Sequence, residues 1–396
     1  MVMNQIKCIW SVCLFIVCMS CSSGDSTSDE PEKDVAGQTL IFYVQSNNNL
    51  YRQLWSEMHE VEKVYRGKDN NNVLIFIDSE EGNNVRYDKN GQWIPKQTVV
   101  KNQLFLVTGG KMTPVEGFEE KFQGRPSSDM NTFKDVLNYC IDEYPAEKYG
   151  LVLAAHGTGW APVSRVVGGN DYTGVYMEVK DIAKTLPIKF EYILFDACLM
   201  NDMATLYEFR DKANYIIASP ANTPAAGFKF SVSLKYLLQN DLVKVCEKYI
   251  EDYVLDRQCA TITLTRTEGL EEVARANRQL FTKYSAQGKD KELLRGLQRY
   301  EANWSYVDYL HFLGVYIGVP EDPNDRVQTA LDKVCLFTKW SGVQPPDFKI
   351  YPEYYSGYSH WLYQGVDPDL DELKTYQWYK DAGLDLFMEE INDLYK

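Results

Sequence analysis

Two apolar segments of strand length each end in a reactive side chain, and this pairing constrains the fold more than any other feature of the sequence. The first, LVLAAHGTGW (151–160), runs into His156, and the second, YILFDACLM (192–200), runs into Cys198. Strand ends are where α/β proteins build their sites. A cysteine and a histidine delivered there by two different strands can act as nucleophile and base.

Further apolar runs alternate with helical patterns along the first part of the chain. TLIFYVQ (39–45), NVLIFID (72–78) and YIIAS (215–219) have the length and composition of buried strands. Buried strands that alternate with helices predict an α/β fold, in which a mostly parallel sheet is flanked by helices.

The pattern changes at about Lys229 and becomes mainly helical. It is interrupted there by the strand-like runs ATITLT (260–265) and FKIYPEYY (348–355). We therefore expect a core at residues 38–228, with a mainly helical C-terminal region, residues 229–396, packed on it.

The N-terminus reads as a targeting segment. An apolar stretch at 8–19 is too short to span a membrane and is followed by Ser20 and Cys21. This arrangement resembles a bacterial lipoprotein signal at 1–20, which implies cleavage before Cys21 and acylation of its thiol; a plain secretory peptide cut nearby is the alternative. Residues 21–37 are polar and acidic, and they predict a disordered tether. We expect export and a cell-envelope lipoprotein, at the periplasmic face or the cell surface.

Composition narrows the partners and cofactors. A net charge of −15 argues against nucleic acid, because such a partner requires a basic face. Three of the nine cysteines lie in the expected signal, and Cys21 would carry lipid. The five that remain are an odd number, so an exported chain keeps at least one free thiol or forms an intermolecular bond. None of them has the spacing of a zinc site.

Two effects are expected to activate Cys198. His156 can reach its thiol if the two strands are neighbours, and a helical pattern begins directly after Cys198, so the helix dipole would favour the thiolate. The N–H groups of Gly157 and Cys198 could form an oxyanion hole. Trp160 is expected to wall the pocket and contact substrate, or to pack against the sheet.

HGTGW and FDACLM resemble the two motifs of the clostripain family of cysteine peptidases, which belongs to the caspase-like clan with gingipains and legumains. Four weaker matches extend the resemblance over most of residues 38–396: YVQSNNNL (43–50), NNVLIFID (71–78), VDYLHF (307–312) and YYSGYSHWLY (354–363).

The resemblance implies a caspase-like sheet and an endopeptidase that acts on polypeptides through a thioester acyl-enzyme. His156 would be the general base and Cys198 the nucleophile of a dyad. Cleavage after Arg or Lys is implied, with Asp196 lining the pocket for that residue; a structural carboxylate at the strand end is the alternative for Asp196. Self-cleavage between the motifs is also implied, and Arg165 is the most cleavable residue in that interval.

The sequence departs from this family pattern at two places. Asn47 and Asn49 stand where the opening turn usually carries acids, and the loop SPANTPAAG (219–227) has no acid where the family uses acids to receive a basic side chain. The preference for Arg or Lys would then depend on Asp196, or on acids that the sequence does not place.

No metal site is expected, and no cofactor except calcium, which some relatives require. Asp367, Asp369 and Asp371 have calcium-loop spacing, but Glu372 stands where that loop needs glycine. One alternative function is a catalytically silent surface lipoprotein that binds peptide or glycan through the aromatic-rich C-terminal region. A lipase is disfavoured because the sequence has no G-x-S-x-G motif.

Overall fold

The computed structural model describes residues 34–79, 101–160, 175–284, 291–301, 306–317, 326–362 and 370–395, together with short strands at 86–87, 93–94 and 169–170. Residues Val35–Lys396 cluster as one compact unit. The expected signal (1–20) and most of the expected tether (21–37) lie outside the described residues, and the boundary at 228/229 stays a prediction. No helix in the described part of the chain is long and apolar enough to cross a bilayer.

The strands are spread along the whole described chain. They are β1 (Ala36–Val44), β2 (Asn71–Ile77), β3 (Arg86–Tyr87), β4 (Trp93–Ile94), β5 (Gln103–Thr108), β6 (Lys111–Pro114), β7 (Ala146–Ala154), β8 (Gly169–Asn170), β9 (Val175–Tyr176), β10 (Phe190–Asp196), β11 (Ala213–Ala218), β12 (Thr261–Arg266), β13 (Tyr306–Asp308), β14 (Cys335–Trp340) and β15 (Ser359–Trp361).

The helices lie between these strands and dominate the C-terminal half. They are α1 (Tyr51–Val64), α2 (Phe118–Phe122), α3 (Met130–Glu143), α4 (Val179–Thr185), α5 (Met203–Glu208), α6 (Phe230–Leu238), α7 (Leu242–Leu255), α8 (Leu270–Lys283), α9 (Lys291–Arg295), α10 (Tyr309–Ile317), α11 (Arg326–Val334), α12 (Leu370–Leu373), α13 (Gln377–Asp381) and α14 (Met388–Tyr395).

Nine strands form one sheet in the order β14-β12-β11-β10-β7-β1-β2-β5-β6. The central strands β11-β10-β7-β1-β2 pair in parallel, and the edge strands β12, β14, β5 and β6 pair antiparallel. The expected mostly parallel sheet flanked by helices is confirmed. The antiparallel edges come from the β5–β6 hairpin and from the C-terminal region.

Both faces of the central strands are buried, which explains why their sequences are continuously apolar. Leu40 and Phe42 of β1 pack into a core that includes residues of α1, α6 and α7. The alternate residues Ile41 and Tyr43 pack into a second core that includes residues of α3, α4 and α5. Successive side chains of a strand point to opposite faces, so one strand serves both cores.

The C-terminal region extends the sheet through β12 and β14 and adds helices to the second core. Its large aromatic side chains are mostly buried: Trp361, Trp378 and Tyr376 are each at most 2% exposed. Tyr351 and Tyr354 are exposed. Most of the aromatic side chains in the C-terminal region that could have bound peptide or glycan therefore lie in the core.

Candidate active site

The register of β7 and β10 brings the two motifs together. Ala154 ends β7 and pairs with Asp196, which ends β10. The N–H of Ala155 donates to the Asp196 carbonyl across 3.2 Å. His156 and Cys198 each stand two residues beyond the Ala154–Asp196 pair, so both loops leave the sheet side by side. Both side chains line one cavity of about 500 Å³.

Gly157 allows the two loops to approach closely. A Cβ atom at this position would lie 2.5 Å from the Cys198 carbonyl oxygen and 3.0 Å from the Cys198 nitrogen. Neither the Gly157 N–H nor the Cys198 N–H donates to a backbone carbonyl of the described residues. Two adjacent amides beside a thiol can serve as oxyanion donors.

The Cys198 thiol is partly exposed and lies beneath the loop that follows β11. The N–H of Thr223 donates to Sγ across 3.2 Å, and the Thr223 hydroxyl donates to the Ala197 carbonyl across 3.1 Å. Burial raises the pKa of the Cys198 thiol to about 11; the Thr223 contact opposes this rise and the charge of Asp196 adds to it. The resting residue is therefore a neutral thiol at physiological pH.

The helix dipole does not act on Cys198 as expected. α5 begins at Met203, and its N-terminal amides donate to the Asp202 carboxylate. Between Cys198 and α5, Leu199 has φ +61°, a left-handed conformation that turns the chain before the helix starts. The prediction was wrong because an apolar spacing locates a helical face but does not locate the first turn.

His156 is contacted by the turn that follows β1. The Oδ1 atom of Asn49 lies 2.5 Å from Nε2 of His156. This turn is anchored by Asp78 beyond the end of β2, whose carboxylate accepts from the N–H groups of Ser46 at 2.7 Å and Asn47 at 3.0 Å. The sequence marked Asn49 only as a departure from a pattern and gave it no role.

Two carboxyl groups lie in the same cavity wall, Asp196 and Glu57 of α1. Both are buried and they hydrogen-bond each other. Burial raises the pKa of Asp196 to about 6. Burial and the charge of Asp196 raise the pKa of Glu57 well above its usual range. Sequence reasoning missed Glu57, although a carboxylate between Leu54 and Met58 on an apolar helix face is a readable signal.

Trp160 does not line this cavity. It is 1% exposed, and its ring packs edge-on against Trp361 and Tyr376, with centroids 4.9 and 5.3 Å away. The expectation that Trp160 contacts substrate is therefore corrected: the chain turns at Gly159, which has φ +64°, and the indole enters the core. Trp160 therefore follows the alternative expectation, packing against the protein core.

Three further predicted positions lie wholly or partly outside the described residues. Cys21 and Arg165 are not described, nor are Asp367 and Asp369 of the calcium-like run. Asp371 is described, and its exposed carboxylate pairs with Lys374 at 2.8 Å. Over the part of the chain that the structure describes, no three His, Cys, Asp or Glu side chains are grouped to hold a metal.

Comparisons with known proteins agree with this geometry. The model of the clostripain family matches residues 42–329. Clostripain from Hathewaya histolytica is 24% identical over 219 residues, which are 48% of this chain and 40% of that protein. The chain thus spans less than half the length of this curated relative.

Two solved structures share the fold, each with a TM-score of 0.71. One is an inactive zymogen C11 protease from Parabacteroides distasonis, 24% identical, covering 89% of this chain and 99% of that one. The other is a secreted C11 cysteine protease from Bacteroides thetaiotaomicron in complex with an irreversible peptide inhibitor, 19% identical, covering 88% of this chain and 99% of that one. The family model covers well over half of the sequence, and the fold agrees with it: the chain belongs to the clostripain family of cysteine peptidases.

Proposed function

We propose that the protein is an exported cysteine endopeptidase that hydrolyses peptide bonds with His156 and Cys198. The observation that carries this proposal is the parallel pairing of Ala154 with Asp196, which delivers the base and the nucleophile to one cavity. Family membership supports the same reaction class. This scheme requires no cofactor. The assay described below is run with and without calcium, because some relatives require it.

The reaction begins with the neutral thiol. His156 removes the proton of Cys198 as Sγ attacks the substrate carbonyl carbon, because the raised pKa of the thiol keeps it protonated until then. The oxyanion accepts hydrogen bonds from the Gly157 and Cys198 amides. The imidazolium then donates its proton to the departing amine, which leaves a thioester. Water, deprotonated by His156, releases the acyl group and restores the thiol.

Asn49 fixes the orientation of the base in this scheme. Nε2–H of His156 donates to the Asn49 amide oxygen, 2.5 Å away, so Nδ1 is the nitrogen that accepts the thiol proton. An oriented base next to a nucleophile is the general arrangement of such dyads and triads. Asp78 supports it by holding the backbone of the Asn49 turn.

The substrate side chain that precedes the scissile bond would enter the cavity toward Asp196. This carboxylate stands two residues before Cys198 and is buried at the cavity wall. A buried carboxylate needs a charged or hydrogen-bonding partner, so it favours Arg or Lys over an apolar side chain.

A peptide library tests this proposal. Purified protein is incubated with a mixed library, with and without calcium, and the cuts are read by mass spectrometry beside Cys198→Ala. Cys259→Ala is the matched control, since Cys259 is a second partly exposed free thiol outside the cavity. We expect cuts after Arg and Lys that Cys198→Ala abolishes and Cys259→Ala retains. Cuts that survive Cys198→Ala, or their absence from the wild type in both calcium arms, would refute the proposal.

We also propose that Cys21 is acylated and anchors the protein to a membrane. Support comes from the apolar run that ends at Ser20, directly before this cysteine. Protein from cells would partition into the detergent phase, and Cys21→Ser would move it to the aqueous phase. Equal partitioning of both proteins would contradict lipidation.

Maturation by cleavage near Arg165 is the last part of the proposal. Arg165 lies in a glycine-bearing stretch, SRVVGGND (164–171), between the two motifs. Active protein would then migrate as two chains, and Arg165→Ala would remain as one. A single full-length band from active wild type would exclude this step.

A further inference from the structure

Glu57 is a charged residue in an apolar setting. It lies on α1, is 4% exposed, and stands beside the buried Leu54 and Met58. Carboxylates are almost never buried this deeply without partners, because the loss of hydration is costly. Its Oε2 atom has no hydrogen-bond partner within the described residues. The side chain therefore keeps an unused acceptor in the wall of the cavity that holds Cys198.

The carboxyl groups of Glu57 and Asp196 meet beside the backbone of Gly227. A Cβ atom on Gly227 would lie 2.4 Å from Glu57 Oε1 and 2.7 Å from Asp196 Oδ2. The residue has φ +57°, so both its conformation and its surroundings require glycine. The next N–H, of Phe228, donates to Asp196 Oδ2 across 3.2 Å. The two carboxyl groups, from α1 and β10, are thus brought together at one backbone position.

The carboxyl groups of Glu57 and Asp196 have no basic side chain to neutralise them within the described residues. In the part of the chain that the structure describes, no lysine or arginine lowers the pKa of Glu57 or of Asp196. The loop 219–227, which forms the wall next to them, contains no charged side chain. Two contacting carboxyl groups cannot both ionise without a large free-energy cost, so they share a proton when no cation lies beside them. A guanidinium or ammonium group would replace that proton and satisfy the unused oxygen of Glu57.

We propose that Glu57 is a specificity-determining residue which, together with Asp196, forms a paired-carboxylate receptor for the basic side chain that precedes the scissile bond. This rests on the proposed peptidase function and deepens it. Its second carboxylate comes from α1, a helix that precedes both catalytic motifs in the chain, and not from the loop after β11. Entry of the cation releases the shared proton to solvent, so the net charge of the site does not change as the substrate binds.

Three peptides that differ only in the residue before the scissile bond test this inference: arginine, its neutral isostere citrulline, and norleucine. In Glu57→Gln the carboxylate is lost and the shape is kept. We expect kcat/KM for the arginine peptide to fall roughly 10- to 100-fold, as for loss of a charge-assisted contact, and that for citrulline to change little. Glu60→Gln is the matched control, one turn along α1 and outside the cavity.

An equal loss for arginine and citrulline, or none for either, would overturn the specificity role, since a merely structural Glu57 would not move their ratio. Glu57→Asp, which keeps the charge, serves if Glu57→Gln does not fold, and should retain a preference for arginine over citrulline. Calorimetry in the Cys198→Ala background separates this claim from catalysis. Loss of arginine-peptide affinity there on adding Glu57→Gln supports the receptor even if the wild type cuts nothing, whereas unchanged affinity contradicts it.

Discussion

The amide oxygen of Asn49 lies 2.5 Å from Nε2 of His156 and joins the turn after β1 to the loop after β7. The Asp78 carboxylate fixes the turn that carries Asn49. The imidazole is therefore oriented by a turn that precedes both motifs in the chain. In Asn49→Ala the ring loses this contact. We expect kcat to fall roughly 10- to 100-fold with little change in KM. The base takes up the proton only in the transition state, so the loss of its orientation affects the chemical step and not substrate binding.

Asn49→Asp is the control for that change, since a carboxylate keeps the acceptor. It should retain most of the activity in the same steady-state assay. Equal activity of Asn49→Ala and wild type would show that the contact does not orient the base.

Gly157→Ala tests the oxyanion donors. The added methyl would meet the Cys198 carbonyl oxygen at 2.5 Å and must displace one of the two loops. We expect kcat to fall roughly 100- to 1000-fold, the usual effect of losing an oxyanion donor. Gly314→Ala is the matched control, because a Cβ there meets nothing within 4 Å. If Gly157→Ala is folded and fully active, these amides do not stabilise the oxyanion.

The titration of the Cys198 thiol gives a third prediction. Burial raises its pKa to about 11, above the value of about 8.5 for a free cysteine. Alkylation by neutral iodoacetamide should therefore be roughly tenfold slower at pH 8 than for a free thiol, and should accelerate toward pH 11. The Cys198→Ala protein supplies the background from other thiols. A rate that already saturates below pH 7 would indicate a preformed thiolate and contradict this reaction scheme.

Asp202 predicts a pH dependence of stability. It is 1% exposed, caps α5 and accepts from the Trp160 N–H, and burial raises its pKa to about 7. The unfolded chain has a pKa near 3.9, so the folded state binds more protons between pH 4 and 7. The contribution of this group is therefore fully present below pH 4 and is lost as pH rises through 7.

Urea unfolding of wild type and Asp202→Asn across that range measures the difference. Asparagine keeps an N-cap acceptor but cannot ionise. We expect the free energy of unfolding of the wild type to fall relative to the variant by roughly 2–4 kcal/mol from pH 4 to 7. Parallel curves for the two proteins would show that Asp202 does not titrate in this range.

The sequence predicts well the strands that position the site, because strands are recognised from local apolar patterns. Apolar runs locate β7 and β10, and parallel pairing of strands that end in His156 and Cys198 follows from α/β construction. The parallel sheet between helices was confirmed for the same reason.

The remaining features depend on contacts between distant segments, which a single sequence does not specify. Glu57 reaches Asp196 only because α1 crosses the face of the sheet beside Gly227. Trp160 enters the core because Trp361 and Tyr376, some 200 residues later, are there to receive it. The start of α5 is set by the Asp202 cap, which the apolar spacing did not reveal.

Intact-mass analysis with a peptidyl acyloxymethyl ketone that ends in arginine tests the central claim most directly. The claim is that Cys198, served by His156, is the nucleophile toward a bound peptide carbonyl. We predict one adduct per chain, located on Cys198 by peptide mapping, absent from Cys198→Ala and formed far more slowly by His156→Ala. An adduct that persists in Cys198→Ala, or that maps to Cys259 in the wild type, would contradict the account.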